Sequence, residues 1–274
     1  MPLPDLQGRI AVVTGASQGI GRGIALALAE AGATVYLTGR NASMLESAAA
    51  EVKRRGGQAV AVVCDHADDP QVDALFARVR DEAPGLDLLV NNVWGGYEAH
   101  PQGMRPAPFW EAGLADWEAM FVRGVRPHFV ASLLAAPLMI ARRRGLMVNT
   151  IAWAQGKYLL QLYYDVAKQA AARMAYGMAL ELKPHGVAAL ALAPGFARTE
   201  RVMAAHAAHP FDLSGTESPE YIGRAVAHLL GDPELMSRTG KVLTAGQLAR
   251  EYGFTDVDGR QPEPFAMPAQ MALD

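Results

Sequence analysis

Short apolar runs rich in Val and Ile alternate along the chain with longer stretches in which apolar residues recur every three or four positions. The first pattern predicts buried strands near Ile10 to Thr14, Thr34 to Thr38, Ala59 to Val63, Leu86 to Asn91, Leu146 to Ile151, Val187 to Ala193 and Lys241 to Thr244. The second predicts helices near Gly19 to Ala31, Ser43 to Arg55, Pro70 to Glu82, Leu114 to Arg143, Tyr163 to Pro184 and Pro219 to Leu230. Strand and helix in strict alternation is the pattern of βαβ units around a parallel sheet. The expectation is one α/β domain spanning residues 1–274: a Rossmann-type, doubly wound, seven-stranded parallel sheet with helices on both faces. Pro127 and Pro137 fall within the fourth helical stretch and should bend it.

Two segments are poor fits to plain connections. Residues 94–113 form a Gly/Pro-rich stretch just beyond a strand end, and loops longer than about 12 to 15 residues tend to be functional or mobile. Residues 199–218 likewise follow a strand end, so both segments are expected to be mobile and the second to act as a lid over the same crevice. From about Pro262 onward the period is lost, and an extended tail is expected.

Composition narrows the function classes. With 51% hydrophobic and 19% charged residues the chain can bury a sizeable core, and a formal net charge of −3 offers no basic excess for nucleic acid or an anionic membrane. The most apolar window, Phe129 to Ala141, contains Pro137 and falls well short of the roughly 20 residues of a membrane span. No cationic start followed by a long apolar stretch precedes the first strand, so no secretory leader is expected. Cys64 is the single cysteine, which precludes an intrachain disulfide or a cysteine-rich metal site and suits a reducing compartment, here the cytoplasm. His206 and His209 share a helix face without a set of carboxylate or cysteine partners, so no metal site is expected.

The segment IAVVTGASQGIGRGIALALAEAG reads as a strand, a turn and a helix that opens at once. Gly15 permits the tight turn, Gly19 lets backbone approach a pyrophosphate, and Gly21 allows helix and strand to pack closely. With Ser17, Gln18 and Ile20 between them, these residues present free N–H groups and a positive dipole end to a dinucleotide. The second strand ends in Gly39 and Arg40 with no carboxylate to hold a ribose 2′-hydroxyl. Arg40 can instead pair with a 2′-phosphate, which selects NADP(H) as the expected cofactor. Tyr164 and Lys168 lie four apart on one helix face, where an ammonium would be expected to lower the phenol towards the range needed for acid–base work.

The turn TGASQGIG, the NNVWGG after the fourth strand, the Tyr164/Lys168 pair and PGFART at 194–199 occur in the order and spacing of the short-chain dehydrogenase/reductase family, which this chain resembles over nearly its whole length. The resemblance implies an oxidoreductase that interconverts a carbonyl and an alcohol on a small-molecule substrate. Tyr164 would be its acid/base, and Lys168 would tune Tyr164 and hold the ribose. It further implies an adenine pocket around Asp65 and His66, and backbone contacts to the cofactor from Asn92 and Val93. The nicotinamide would be held by Pro194, Gly195, Ala197 and Thr199, with Asn91 structural. A homo-oligomer, dimer or tetramer, built on the long fourth and fifth helices is expected on the same ground. A strand-end turn at Asp65 and His66 and helix capping by Thr199 are equally open readings of those residues.

Two positions depart from the family pattern. The family's Ser, 12 or 13 residues before the Tyr, falls on Ala152 or Ile151, and its helix Asn falls on Gly124. The family's Asn acts largely through its main-chain carbonyl, which binds a water leading to the Lys and which Gly124 keeps; Pro127 also leaves the Arg123 carbonyl without an intrahelical donor, so an acceptor remains nearby and the water relay to Lys168 is expected to survive. A missing oxyanion donor typically costs about 10²- to 10³-fold in rate. Thr150, Trp153, Gln155, Tyr158 and Tyr163 are the candidates to replace it, with Tyr158 or Gln155 preferred. The alternative is a redox-impaired cofactor-binding protein, or a non-redox enzyme using the same pocket.

Overall fold

The apolar runs form β1 (Ile10–Val13), β2 (Thr34–Gly39), β3 (Gln58–Val63), β4 (Leu88–Asn91), β5 (Gly145–Thr150), β6 (Val187–Ala193) and β7 (Val242–Thr244). In this computed structural model, which describes residues 2–98, 108–153 and 157–266, they make one all-parallel sheet in the order β3-β2-β1-β4-β5-β6-β7. Every residue of β1, β4, β5 and β6 is buried, so these strands appear in the sequence as unbroken apolar runs and not as alternations. The strand order reverses between β1 and β4, which opens a crevice at their carboxyl ends.

Helices α1 (Gly19–Glu30), α2 (Ala42–Arg54), α8 (Pro219–Gly231) and α9 (Ala245–Tyr252) cover one face through Ile24, Leu28, Leu45, Tyr221, Val226 and Leu248. On the other face lie α3 (Asp69–Glu82), α5 (Arg126–Ile140) and α6 (Leu162–Leu182), which bury Val72, Leu75, Ala131, Met139 and Leu182. Each large apolar side chain so enclosed contributes roughly 1.5 to 3 kcal/mol of transfer free energy. None of the described helices is long and apolar enough to cross a membrane.

The fourth helical stretch is not one bent helix. It runs as α4 (Leu114–Trp117), a π-helix (Glu118–Val125) and then α5. Pro127 has no N–H, and just before it the register widens so that the Arg126 N–H donates to the Phe121 carbonyl, five residues back. The Arg123 carbonyl, expected to be a spare acceptor beside Gly124, accepts from the Gly95 N–H at 3.0 Å. Within 199–218 a helix, α7 (Glu200–Ala208), is capped by Thr199, whose hydroxyl accepts from the Val202 N–H. The short α9, unexpected from the pattern, begins directly at the end of β7 with Thr244 as its cap. Residues 262–266 are irregular and lie back on the domain, with the Tyr221 hydroxyl donating to the Pro262 carbonyl at 3.5 Å. The rest of the expected tail is outside the described residues.

Candidate active site

The turn after β1 is fastened from β4. The Thr14 hydroxyl accepts from the N–H groups of Asn92 and Val93 at 2.9 and 3.0 Å, and the Asn92 amide donates to the carbonyls of Thr14 and Gly15. Gly21 is obligatory: a Cβ there would lie 2.3 Å from the Gly15 carbonyl oxygen. Gly19, in the left-handed region at φ +57°, opens α1 and donates its N–H to the Glu200 carboxylate at 2.9 Å. That carboxylate is an anion seated on a helix N-terminus, the position a dinucleotide phosphate would take. Ser17, Gln18, Arg22, Ser43 and Met44 line the adjoining cleft together with Glu200, and Ile20 packs onto the core beneath.

Arg40, more than half exposed just past β2, pairs with Glu98 at 2.7 Å, and the other Glu98 oxygen takes Arg123 at 2.6 Å. The His66 imidazole turns inward and shares a 2.6 Å hydrogen bond with Thr38, and burial lowers it to about 4, so it is neutral. Asp65 closes a turn by accepting from the Ala67 N–H. These are the contacts of a strand-end turn. The Val93 carbonyl accepts from His128, whose ring burial lowers to about 3. Asn91 donates to Ser132 and Asn149 within the core. After β6, the segment Pro194, Gly195, Ala197 and Thr199 is pinned by Glu217, which accepts from the Gly195 N–H at 2.7 Å and bridges to Ala197. Thr199 approaches the phosphate turn, its methyl 3.5 Å from where a Gly19 Cβ would stand.

Tyr164 and Lys168 are both buried on the first turns of α6. The Lys168 ammonium sits 3.5 Å from the centre of the Trp94 ring and 5.6 Å from that of Tyr164, and Trp94 meets Tyr164 edge to face at 5.8 Å. Burial pushes the Tyr164 phenol well above its ordinary value, and the neighbouring Tyr97 phenol adds to the rise. Burial also lowers Lys168 to about 7. This reverses the expected direction for Tyr164: the Lys168 ammonium faces the Trp94 ring, and desolvation of the phenol sets the sign.

Of the expected substitute donors, Thr150 is committed to the Asn91 carbonyl at 3.2 Å. Trp153 packs beside Ile151, and Tyr163 packs beside Trp94 and Tyr164. Tyr158 is exposed, and partial desolvation and then Asp165 raise its phenol. Gln155 lies outside the described residues. Ala152 joins the apolar cluster of Met120, Leu159 and Tyr164. Gly124 faces Trp94, and a Cβ on it would come 2.6 Å from the ring. Among the described residues no three His, Cys, Asp or Glu side chains are grouped to hold a metal, and His206 accepts from the Phe211 N–H.

Sequence reasoning did not single out Trp94, Tyr97, Glu98 or Glu200. Trp94, Tyr97 and Glu98 follow β4 directly in WGGYE, and a bulky aromatic at the mouth of a crevice was the available signal.

The short chain dehydrogenase family matches residues 9–209. Mouse dehydrogenase/reductase SDR family member 1 is 40% identical over 272 residues, covering 95% of this chain and 87% of that protein. Two solved structures share the fold closely. The 7α-hydroxysteroid dehydrogenase complexed with NADH and 7-oxo glycochenodeoxycholic acid aligns with TM-score 0.75 and 26% identity, over 93% of this chain and 96% of its own. A metagenomic short-chain oxidoreductase in complex with NADP aligns with TM-score 0.70 and 28% identity, over 88% of this chain and 97% of its own.

Proposed function

The chain belongs to the short-chain dehydrogenase family of oxidoreductases, and from that premise we propose that it interconverts a carbonyl and an alcohol on a small organic molecule with NADP(H) as cofactor. The observation that carries this reading is the placement of a buried Tyr164/Lys168 pair at the β4 and β5 ends of the crevice that also holds the glycine turn. The donor set fits a dinucleotide: Glu200 already seats a carboxylate on the Gly19 N–H, and Arg40 is an accessible guanidinium at the end of β2. Ser17, Gln18, Ile20 and Gly21 would cradle the phosphates, Arg40 the 2′-phosphate, and residues 194–199 the nicotinamide end. When bound, the cofactor supplies or accepts a hydride. Tyr164, held in its phenol form by burial, donates a proton to the substrate oxygen in reduction and takes one back in oxidation. Lys168, charged or neutral according to pH near 7, steadies the phenolate left behind.

Turnover of NADPH with a panel of ketones and aldehydes tests this reading. Wild type should be active and Tyr164→Phe inactive; equal rates would refute it. Arg40→Ala should weaken NADPH by about 10-fold or more and leave NADH unchanged. A second reading, tight cofactor binding without turnover or with non-redox chemistry, is favoured by one observation: Ile151 and Ala152, just past β5 and near Tyr164, offer no side-chain hydrogen-bond donor. Tight NADPH binding with no turnover of any carbonyl would select it. The exposed Phe129 and Leu133 of α5 and Val166 and Leu180 of α6 support a homo-oligomer through these helices, and Cys64, single and buried, supports a cytoplasmic location. Size-exclusion chromatography coupled to light scattering should return a mass above 29.2 kDa.

A further inference from the structure

A buried ammonium is costly unless something compensates its charge. Lys168 is buried, and no carboxylate offsets the desolvation that lowers its amine to about 7. What faces the charge is an aromatic ring: the ammonium lies 3.5 Å from the centre of the Trp94 ring, well inside the roughly 6 Å within which a cation is drawn to a π face.

The indole is held there from several sides. Trp94 is the third residue after β4, and the backbone leading to it is fixed at Val93, whose carbonyl accepts from His128 at 2.9 Å and whose N–H donates to the Thr14 hydroxyl at 3.0 Å. One edge of the ring lies against Gly96, where a Cβ would come 2.4 Å from Cε2 and 2.6 Å from Nε1. Another part of its rim lies against Gly124, where a Cβ would come 2.6 Å from Cζ3. The Gly95 N–H joins these two walls by donating to the Arg123 carbonyl at 3.0 Å. Two glycines distant in sequence thus make a slot that takes the ring by its rim and leaves its face to Lys168, with Tyr164 edge to face at 5.8 Å.

We propose that Trp94 is a positioning residue for the reaction: its indole face is the seat that holds the Lys168 ammonium beside Tyr164 in the place where a carboxylate would otherwise be needed. This rests on the carbonyl–alcohol reading above. A π face attracts the positive charge without taking a directed hydrogen bond, so the three N–H donors of the ammonium stay available to a phenolate at Tyr164 and to ribose hydroxyls. A carboxylate in the same place would claim those donors and hold the proton on the amine far above neutrality. The other ionisable groups around the ring are His128, which burial lowers to about 3, Tyr164, raised well above its ordinary value, the Tyr97 and Tyr163 phenols, and Arg123 paired with Glu98.

Protein labelled with 5-fluorotryptophan should give a fluorine resonance for each of its four indoles, the Trp94 signal being the one absent from Trp94→Phe. In the free protein that signal should shift with pH about a midpoint near 7, and the shift should vanish in Lys168→Met. Difluorotryptophan drains the π face with little change of shape, and it should lower the midpoint by about half a pH unit or more. With a ketone that wild type reduces, Trp94→Leu should lower kcat at least about 10-fold, whereas Trp94→Phe, which restores a π face, should stay within about 3-fold of wild type. A Trp94 signal indifferent to pH, a shift that survives Lys168→Met, a midpoint unmoved by the second fluorine, or equal kcat in the Leu and Phe variants overturns the proposal. Wild type inactive on every carbonyl would instead overturn the parent reading and the kinetic role of Trp94 with it, while the fluorine titration still decides whether the amine sits on the indole, so the two failures are distinct.

Discussion

Replacing Gly124 with Ala should destabilise the protein, and should stop doing so once Trp94 is removed. An ideal Cβ at 124 lies 2.6 and 2.9 Å from Cζ3 and Cε3 of Trp94, against about 3.5 to 4.0 Å for a comfortable carbon contact. The indole has little room to retreat. Lys168 presses one face at 3.5 Å, Tyr164 meets it edge-on, and the backbone at Gly96 is close enough that a Cβ there would overlap Cε2. Overpacking of this kind costs about 1 to 3 kcal/mol, offset by roughly 1 kcal/mol from giving a helical position a better helix former. The net loss expected for Gly124→Ala is therefore about 0 to 2 kcal/mol. Trp94→Ala should itself cost about 3 kcal/mol, the low end for such a truncation because the indole is only partly enclosed. In that background the added methyl enters vacated space, and Gly124→Ala should be neutral or stabilising. Urea denaturation of the four proteins closes the cycle, with an expected coupling of about 1 to 3 kcal/mol. A coupling below about 0.5 kcal/mol would mean that Trp94 is not what keeps position 124 a glycine, and the reasoning would fail.

Other expectations follow from the same contacts. Glu200→Gln removes the negative charge that sits on the Gly19 N–H and beside Arg22, so calorimetric titration should show NADPH binding about 3- to 10-fold tighter; weaker binding would count against competition at this turn. Lys168→Met should abolish turnover yet stabilise the fold, because burial holds the amine at about 7, below its ordinary 10.5. Between those values the unfolded chain binds the extra proton, so wild-type stability should climb with pH by up to about 1.4 kcal/mol per unit, a slope the variant loses in urea melts at pH 7 and 9. Glu217 behaves oppositely: burial raises it to about 7, so its contribution is present below about 4.5 and is lost as pH rises through 7. Glu217→Gln, which keeps an acceptor for the Gly195 N–H, should flatten the stability profile between pH 4.5 and 7.

The sheet was legible because its central strands are buried on both faces and so write themselves as unbroken apolar runs, and the phosphate turn because each glycine in it answers a local steric demand. Local pattern failed where a partner distant in sequence decides the outcome. The Pro127 signal was visible, but not that the Arg123 carbonyl it leaves without a helical donor is taken by the Gly95 N–H. The Tyr164/Lys168 spacing was visible too. The sign of the Tyr164 shift was not, since it follows from enclosure by Trp94 and Tyr97 on the loop after β4. Gly124 teaches the same lesson most sharply. Taken alone it is a helical position without a side chain, but the ring of Trp94 fills the space in front of it and carries the Lys168 ammonium on its face. Positions 94 and 124 thus form one steric and electrostatic unit. What looks like an empty position at 124 is the space the Trp94 ring needs to lie against the buried amine.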